Sequence, residues 1–195
     1  MARFTRAELE SFRDTSVPDL LPGPDQELRL LFVGINPGLW TAATQTHFAH
    51  PGNRFYPALL RAGVLTEPVD PAEGMTDADR DRLRARGIGI SNLAHRATAK
   101  ASELSDEELR EGGEALARLV DDARPRVVAV AGVTAYRSAF GERKAQQGRQ
   151  PQPMPGTHHP HELWVVPNPS GLNAHETVDS LARAYAEVGR AAGLL

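Results

Sequence analysis

The sequence predicts an α/β protein whose mainly parallel sheet is covered by helices on both faces. Two observations carry this prediction: short apolar runs typical of buried strands recur along the chain, and segments of helical periodicity separate them. The predicted strands are Leu28–Val33, Gly87–Asn92, Arg126–Gly132 and Leu163–Val166. The strand Arg126–Gly132 is the clearest, because every residue from Val127 to Ala131 is apolar.

Capping residues and apolar spacing locate the helices between these strands. Helices are predicted from about Tyr56, from Thr76 to about Arg86, from Ser105 to Asp122, from about Thr134 to Phe140 and over Val178–Val188. The segments Leu39–Gly52 and Gly141–His161 are expected to be irregular. Long loops inside a compact domain are often functional, so the first of them is a candidate part of a site.

The chain length limits the number of domains, and the net charge limits how the protein could contact DNA. A chain of 195 residues is long enough for one domain with a sizeable core, and we expect an N-terminal arm at 1–27 and a single domain at 28–195. The formal net charge of -3 lacks the basic balance of many nucleic-acid binders. Any DNA contact must therefore use a local patch, for which Arg96 with Lys100, or the cations from Arg137 to Arg149, are candidates.

The absence of cysteine excludes iron–sulfur clusters and zinc sites built on thiolates. No apolar run is long enough to span a bilayer, and the N-terminus lacks the apolar core of a secretory signal. We therefore expect a cytoplasmic monomer that needs no cofactor or metal and has no membrane partner.

The first predicted strand ends in a turn that contains two glycines, one proline and one carboxamide. Gly34 and Gly38 have no Cβ and allow another molecule to approach the backbone, while Pro37 biases Asn36 towards an extended conformation. Ligands collect outside the carboxyl ends of strands in open α/β sheets. The turn is a candidate site, with a purely structural turn as the alternative.

The last predicted strand runs into a second Asn-Pro turn, at Asn168, and a third motif lies between them. Gly34–Gly38, Phe48–Phe55 and Asn168–Leu172 together resemble the signature motifs of mismatch-specific uracil/thymine-DNA glycosylases, within the uracil-DNA glycosylase superfamily. The resemblance covers about Leu28 to Tyr185 with the motifs in the family's order. It implies a three-layer α/β/α fold and hydrolysis of the N-glycosidic bond of uracil in DNA, with thymine or deaminated purines as further candidate substrates.

The resemblance also implies roles for residues of the first two motifs. Asn36 matches the residue that positions the attacking water, and its carboxamide cannot be a strong general base. Phe48 matches the aromatic on which the extruded base stacks, although an aromatic in this chain would otherwise be read as core. Backbone N–H groups near Ile35 and Phe48 would bind the pyrimidine carbonyls and stabilise the departing base.

The third motif would contact DNA. Leu172 matches the wedge that fills the vacated base stack, with a leucine tucked under its loop as the alternative. Ser170 and the backbone around Gly171 would hold phosphate or the edge of the orphan guanine, and Asn173 continues this loop. DNA is thus the expected partner, as a duplex with uracil or a mismatch and also as a single strand.

Three further residues are assigned to the base pocket. Thr41 lies where a small residue bordering the pyrimidine C5 position is expected. Asn168 stands where faster uracil-removing relatives have histidine. Asn92 lies where a side chain can face the pocket, with a turn or cap residue as the alternative.

The chain departs from the family pattern at three positions. His95 occupies the place of a frequent acidic residue. Asn173 and Ala174 replace a frequent serine and arginine, and the loss of the arginine predicts weak recognition of the opposite-strand guanine.

Other interpretations remain open from the sequence. The cluster His158, His159 and His161 suggests a metal site only weakly, because it has no acidic or thiolate partner pattern. A damage- or abasic-site DNA-binding protein with little turnover is the main alternative to a glycosylase. A hydrolase or transferase of free nucleotides is a third, although neither the P-loop nor the dinucleotide fingerprint is present.

Overall fold

The computed structural model describes residues 4–195, in which a five-stranded sheet lies between two layers of helices. The strands are β1 (Leu30–Gly34), β2 (Ile88–Asn92), β3 (Val127–Ala131), β4 (Gly148–Arg149) and β5 (Glu162–Val166). The helices are α1 (Arg6–Glu10), α2 (Leu39–Thr44), α3 (Phe55–Arg61), α4 (Asp77–Ala85), α5 (Asp106–Ala123), α6 (Val133–Phe140) and α7 (Val178–Ala191), with a 3₁₀ turn at Ala101–Glu103. The three-layer α/β/α fold class is confirmed.

The strand order is β2-β1-β3-β5-β4, with all pairs parallel except β4 with β5. Since β1 lies between β2 and β3, its carboxyl end adjoins the ends of both neighbours. Gly34 pairs in register with Asn92, and Ala131 pairs with Val166. The carboxyl ends of β2, β1, β3 and β5 therefore meet along one edge of the sheet.

β1 and β3 are buried on both faces, which explains why they read as continuous apolar runs. Leu30 and Phe32 of β1 pack into the cluster that contains Tyr185 of α7. Leu31 and Val33 point to the opposite face and join the cluster that contains Leu116 of α5. The period of two along β1 thus divides its side chains between two cores.

The N-terminal arm packs against the outer edge of the sheet. Val17 and Leu20 are buried, and Leu20 forms an isolated antiparallel bridge with Ile90 of β2. The Leu20 N–H donates to the Ile90 carbonyl at 2.9 Å, and the reciprocal bond is 2.7 Å long. The arm therefore covers part of an otherwise open strand edge.

Two segments expected to be irregular contain regular structure. Residues Leu39–Thr44 form α2, which has no side-chain N-cap at Gly38 and ends at Gln45 in a left-handed conformation. Four of its six residues are buried, so tertiary packing rather than a local capping signal forms this short helix. The segment Gly141–His161 contributes the edge strand β4 and also buries Met154.

The longest helix, α5, begins as the sequence predicts. The Ser105 side chain accepts from the Glu108 N–H, and the Glu108 carboxylate accepts from the Ser105 N–H in return. Within residues 4–195 no helix combines the length and apolarity needed to span a membrane.

Candidate active site

Gly34, the last residue of β1, forms the floor of the candidate site. A Cβ built on it would lie 2.5 Å from Asn92 Oδ1 and 3.2 Å from the Cζ atom of Phe48. Any larger residue would displace both side chains. The missing Cβ therefore lets the Asn92 carboxamide and the Phe48 ring converge over the end of β1, from two different parts of the chain.

Phe48 is held in an unusual conformation. Its φ of 56° lies in the left-handed region, which costs a non-glycine residue on the order of 1–3 kcal/mol and is often retained at functional sites. One face of its ring stacks on Phe55 at a centroid distance of 4.0 Å and an interplanar angle of 25°. Because Phe48 remains partly exposed, the ring is a platform at the strand edge with a covered back face.

Asn36 is anchored through one end of its carboxamide. Its Nδ2 donates to Thr98 Oγ1 at 2.7 Å, to the Arg96 carbonyl at 3.0 Å and to the Pro37 carbonyl at 3.1 Å. The backbone carbonyls can only accept, so the NH₂ group must face them. Among residues 4–195, no group donates to Asn36 Oδ1, which is left as a fixed acceptor.

Gly132, which directly follows β3, joins the first turn to the second. A Cβ on it would lie 3.5 Å from Ile35 Cδ1 and 3.8 Å from Asn168 Nδ2, and its φ of 106° suits glycine. The Asn168 Oδ1 accepts from the Ser170 N–H at 3.0 Å, and its Nδ2 donates to none of the described residues. Sequence reasoning did not assign Gly132, although a glycine closing a buried strand was a visible signal.

Two backbone donors at the strand edge are also unused. In the described part of the chain, neither the Ile35 N–H nor the Phe48 N–H donates to a protein acceptor. Ile35 follows the last residue of β1, where the ladder with β3 has ended. Together with Asn168 Nδ2, these groups can bind carbonyl oxygens of a ligand.

The loop after β5 projects Leu172 into solvent, with 86% of its surface exposed. The alternative of a leucine tucked under its loop is therefore wrong. Gly171 packs so closely that a Cβ on it would lie 2.5 Å from the Gly52 carbonyl oxygen. Ser170 and Asn173 close the loop, because the Leu172 N–H donates to Ser170 Oγ and Asn173 Nδ2 donates to the Asn168 carbonyl.

Arg54 ties the second motif to this loop. Its guanidinium donates to the carbonyls of Asn173 at 3.0 Å, Glu176 at 2.9 Å and Gly171 at 3.4 Å. The Arg54 N–H also donates to the Pro169 carbonyl at 3.0 Å. These acceptors are neutral, so the positive charge of Arg54 remains beside the exposed leucine. The sequence places Arg54 within the second motif but does not indicate its role.

The geometry thus unites the three motifs at one strand edge, and comparison with known proteins gives them a family. A family model described as the uracil DNA glycosylase superfamily matches residues 22–189. The chain belongs to the uracil DNA glycosylase superfamily. This superfamily acts on DNA, and membership supports DNA glycosylase activity.

A solved structure with the same fold supports the family's architecture. The chain is similar to the solution NMR structure of a "putative Uracil DNA glycosylase" from Methanosarcina acetivorans, with 19% sequence identity and a TM-score of 0.57. The match covers 90% of this chain and 96% of that chain. At this identity the similarity concerns the fold alone.

The remaining predicted pocket residues are Asn92, at the end of β2, and Thr41, in α2. Asn92 ends β2, is buried, and directs its Nδ2 to His47 Nδ1 at 3.1 Å, so it is not a turn or cap residue. Thr41 is buried in α2, which begins three residues after Asn36. His95 is exposed, with Nδ1 4.0 Å from Asp19 Oδ1 of the arm.

The predicted basic patches are largely occupied by protein contacts. Arg96 bonds to Glu108 at 2.7 Å and to Asp14 at 2.8 Å, and the arginine holds the pKa of Glu108 down to about 2. Arg137 donates to the Ala145 carbonyl, and Arg149 pairs with Glu162 at 3.0 Å. Arg96 is therefore neutralised locally, which weakens the case for it as a phosphate contact.

The histidines at 158, 159 and 161 make hydrogen bonds within the protein. Asp121 Oδ1 accepts from the N–H groups of His158 at 2.7 Å and His159 at 2.8 Å, and these bonds lower the pKa of the Asp121 carboxyl. His161 Nε2 accepts from the Met154 N–H. Among residues 4–195, no group of three or more histidine, cysteine or acidic side chains could hold a metal ion.

Two surface clefts lie away from the strand edge. One, of about 580 Å³, is between α5 and α6, and the other, of about 590 Å³, is between α3 and α7. None of the predicted site residues lines either cleft.

Proposed function

We propose that this protein is a monofunctional DNA glycosylase of base-excision repair, which hydrolyses the N-glycosidic bond of uracil in DNA. Thymine opposite guanine and deaminated purines are its further candidate substrates. The observation that carries the proposal is the Asn36 carboxamide, which is held by its NH₂ group and whose oxygen has no donor among residues 4–195. It lies two residues after Gly34, over which the stacked Phe48 ring lies.

A base inside a duplex is out of reach, so the target nucleotide must leave the stack and enter the site. The exposed part of the Phe48 ring would receive it, and such stacking contributes on the order of 1–3 kcal/mol. The unused N–H groups of Ile35 and Phe48 would bind the pyrimidine carbonyls. They would also stabilise negative charge on the base as the bond to the sugar breaks.

Water is the proposed nucleophile. Asn36 Oδ1 would accept a hydrogen bond from this water and direct it at the sugar C1′ as positive charge develops there. A carboxamide removes no proton efficiently, so positioning and leaving-group stabilisation supply the catalysis and turnover should be slow. The three motif segments contain no lysine, which favours hydrolysis over a Schiff-base step.

Leu172 would fill the gap left by the extruded base. An exposed leucine at a loop tip has little to contribute to folding, and an apolar side chain inserted between base steps is a common way to hold DNA open. The adjacent Ser170, Gly171 and Asn173 would contact the backbone or the orphan guanine, next to the charge of Arg54.

The test is a panel of oligonucleotides, each with one lesion, as single strands and opposite each base, followed by alkali cleavage at abasic sites. We expect release of uracil by the wild type and a loss of about 100-fold or more in Asn36→Ala, because the water is no longer positioned. Thermal unfolding of both proteins controls for misfolding.

A damage-binding protein with little turnover is the second candidate, favoured by the carboxamide at position 36 where faster relatives have a carboxylate. Tight binding to abasic DNA, with uracil release no faster in the wild type than in Asn36→Ala, would reject the glycosylase proposal and support this one.

A further inference from the structure

His47 is a buried histidine whose two ring nitrogens both have protein partners. Nε2 lies 3.0 Å from the Pro18 carbonyl oxygen, and Nδ1 lies 3.1 Å from Asn92 Nδ2. The Pro18 carbonyl can only accept a hydrogen bond, so Nε2 must carry the proton. In the neutral ring Nδ1 is then an acceptor, and it must receive its hydrogen bond from the Asn92 NH₂ group.

This chain of contacts decides which end of Asn92 faces the site. With its NH₂ group turned to His47, the carboxamide directs Oδ1 over Gly34, where it would lie 2.5 Å from a Cβ built on that residue. The Phe48 ring is next to the same point. A hydrogen-bond acceptor of fixed orientation therefore stands beside the proposed stacking platform.

We propose that His47 is a positioning residue which, tied to the Pro18 carbonyl of the N-terminal arm, fixes Asn92 so that the pocket presents an acceptor to the edge of the flipped base. This inference rests on the proposed glycosylase function and sharpens its substrate class. Uracil, thymine, hypoxanthine and xanthine carry a ring N–H beside a carbonyl. Cytosine and adenine have an unprotonated ring nitrogen there, which would face Asn92 Oδ1 lone pair to lone pair.

The surroundings of His47 favour its neutral form. Burial lowers the pKa of the ring, opposed by the Pro18 hydrogen bond and by Asp19, while His95 lowers it further. The Tyr56 hydroxyl donates to the His47 backbone carbonyl and fixes the main chain beneath the ring. A second proton on the ring would confront the Asn92 NH₂ group and turn the carboxamide over, and this requires a pH below the ordinary histidine pKa of about 6.5.

The first experiment measures the protonation of His47, which the hydrogen bonds to Pro18 and Asn92 fix, and it needs no enzymatic activity. In protein labelled with ¹⁵N-histidine, long-range ¹H–¹⁵N spectra at neutral pH should show His47 protonated at Nε2 and unprotonated at Nδ1. A proton on Nδ1 at neutral pH, alone or together with one on Nε2, would overturn the inference.

The second experiment measures discrimination under single-turnover conditions, with duplexes that contain uracil or cytosine opposite guanine. In His47→Leu the carboxamide loses its fixed partner, and we expect the ratio of uracil to cytosine release to fall by about tenfold or more. In His47→Asn the side-chain Oδ1 can take the place of Nδ1, and the ratio should recover in large part. Equal ratios in all three proteins would overturn the inference.

The proposed glycosylase function and the positioning role of His47 can be rejected independently. If the wild type releases no uracil, the proposed function fails and takes the specificity claim with it. If the wild type is active and the His47 variants lower the rates on both duplexes equally, the function stands and the positioning role is rejected.

Discussion

Two Asn-Pro turns follow parallel strands at the same sheet edge, and the protein uses their carboxamides in opposite ways. Asn36 gives its NH₂ group to the backbone around Arg96 and leaves its oxygen unused. Asn168 gives its oxygen to the Ser170 N–H and leaves its NH₂ group unused. The same dipeptide thus supplies an acceptor after β1 and a donor after β5. The proposed mechanism assigns the acceptor to the attacking water and the donor to a base carbonyl.

The turns also differ in how they are held. The first is held by Thr98, which accepts a hydrogen bond from the Asn36 side chain and donates its N–H to the Pro37 carbonyl. The second carries a leucine exposed to 86% and is held by the Arg54 side chain. The proposed mechanism needs fixed geometry at the first turn for the chemistry and a projecting side chain at the second to enter DNA.

The largest expected effect comes from exchanging the Asn36 carboxamide for a carboxylate. In Asn36→Asp an anionic oxygen would face the Arg96 and Pro37 carbonyls at about the distances of the lost hydrogen bonds. We expect uracil release to fall by about 100-fold or more and thermal stability to drop, although faster relatives carry a carboxylate in this motif.

Asn168→Asp is the matched comparison, since it keeps the oxygen that accepts from Ser170 and replaces only the unused donor. It should lose about tenfold in rate with little change in melting temperature. Equal loss of stability in the two variants would contradict the opposite polarity of the two turns.

The floor of the first turn gives the next largest effect. Gly34→Ala would push a methyl group into Asn92 and Phe48, so we expect about a 10- to 100-fold slower release and destabilisation by about 1–3 kcal/mol. Gly38→Ala is the control for folding, because a Cβ there meets no protein atom within 4 Å. Denaturant unfolding compares the two variants, and single-turnover rates compare Gly34→Ala with the wild type. If Gly34→Ala unfolds and reacts like the wild type, the site is not built over Gly34.

Truncating the exposed leucine should affect function without affecting folding. Leu172→Ala removes a side chain that packs against little protein, so the melting temperature should not change. Uracil release from duplex DNA should fall by about tenfold, since the vacated stack is no longer filled. Release from a single strand, which has no stack to hold open, serves as the internal reference. Equal losses on both substrates would remove the wedge role.

The smallest effect is expected for Arg54→Lys, which keeps the charge and loses the fork that reaches three carbonyls. The loop should become less ordered and the duplex rate should drop a few-fold. Arg61→Lys is the matched control, since Arg61 pairs with Asp179 on an exposed face at 3.2 Å. A duplex rate unchanged in Arg54→Lys would mean that the charge, and not the geometry of the fork, is what the loop needs.

The sequence by itself determined the layers of the fold and identified the residues proposed for the site. Apolar runs encode strands buried on both faces, and the Ser105 capping box marks the start of α5, because burial and capping depend on residues close together in the chain. The parallel arrangement then brings the ends of β1 and β5 to one edge. The sequence therefore predicts that the Asn36 and Asn168 turns lie at one edge of the sheet, but it does not predict that β3 separates their strands.

The tertiary structure alone decided how the site works. Asn36 bonds to Thr98 across 62 positions of the chain, and Arg54 reaches Asn173 across 119. No local pattern contains such pairs, because strand register and loop packing create them. The same holds for α2, which forms by burial without a cap, and for His47, whose contact with the arm decides which end of Asn92 faces the site. The sequence identified which residue types stand at the proposed site. The direction of each hydrogen bond there depends on neighbours that are distant in sequence.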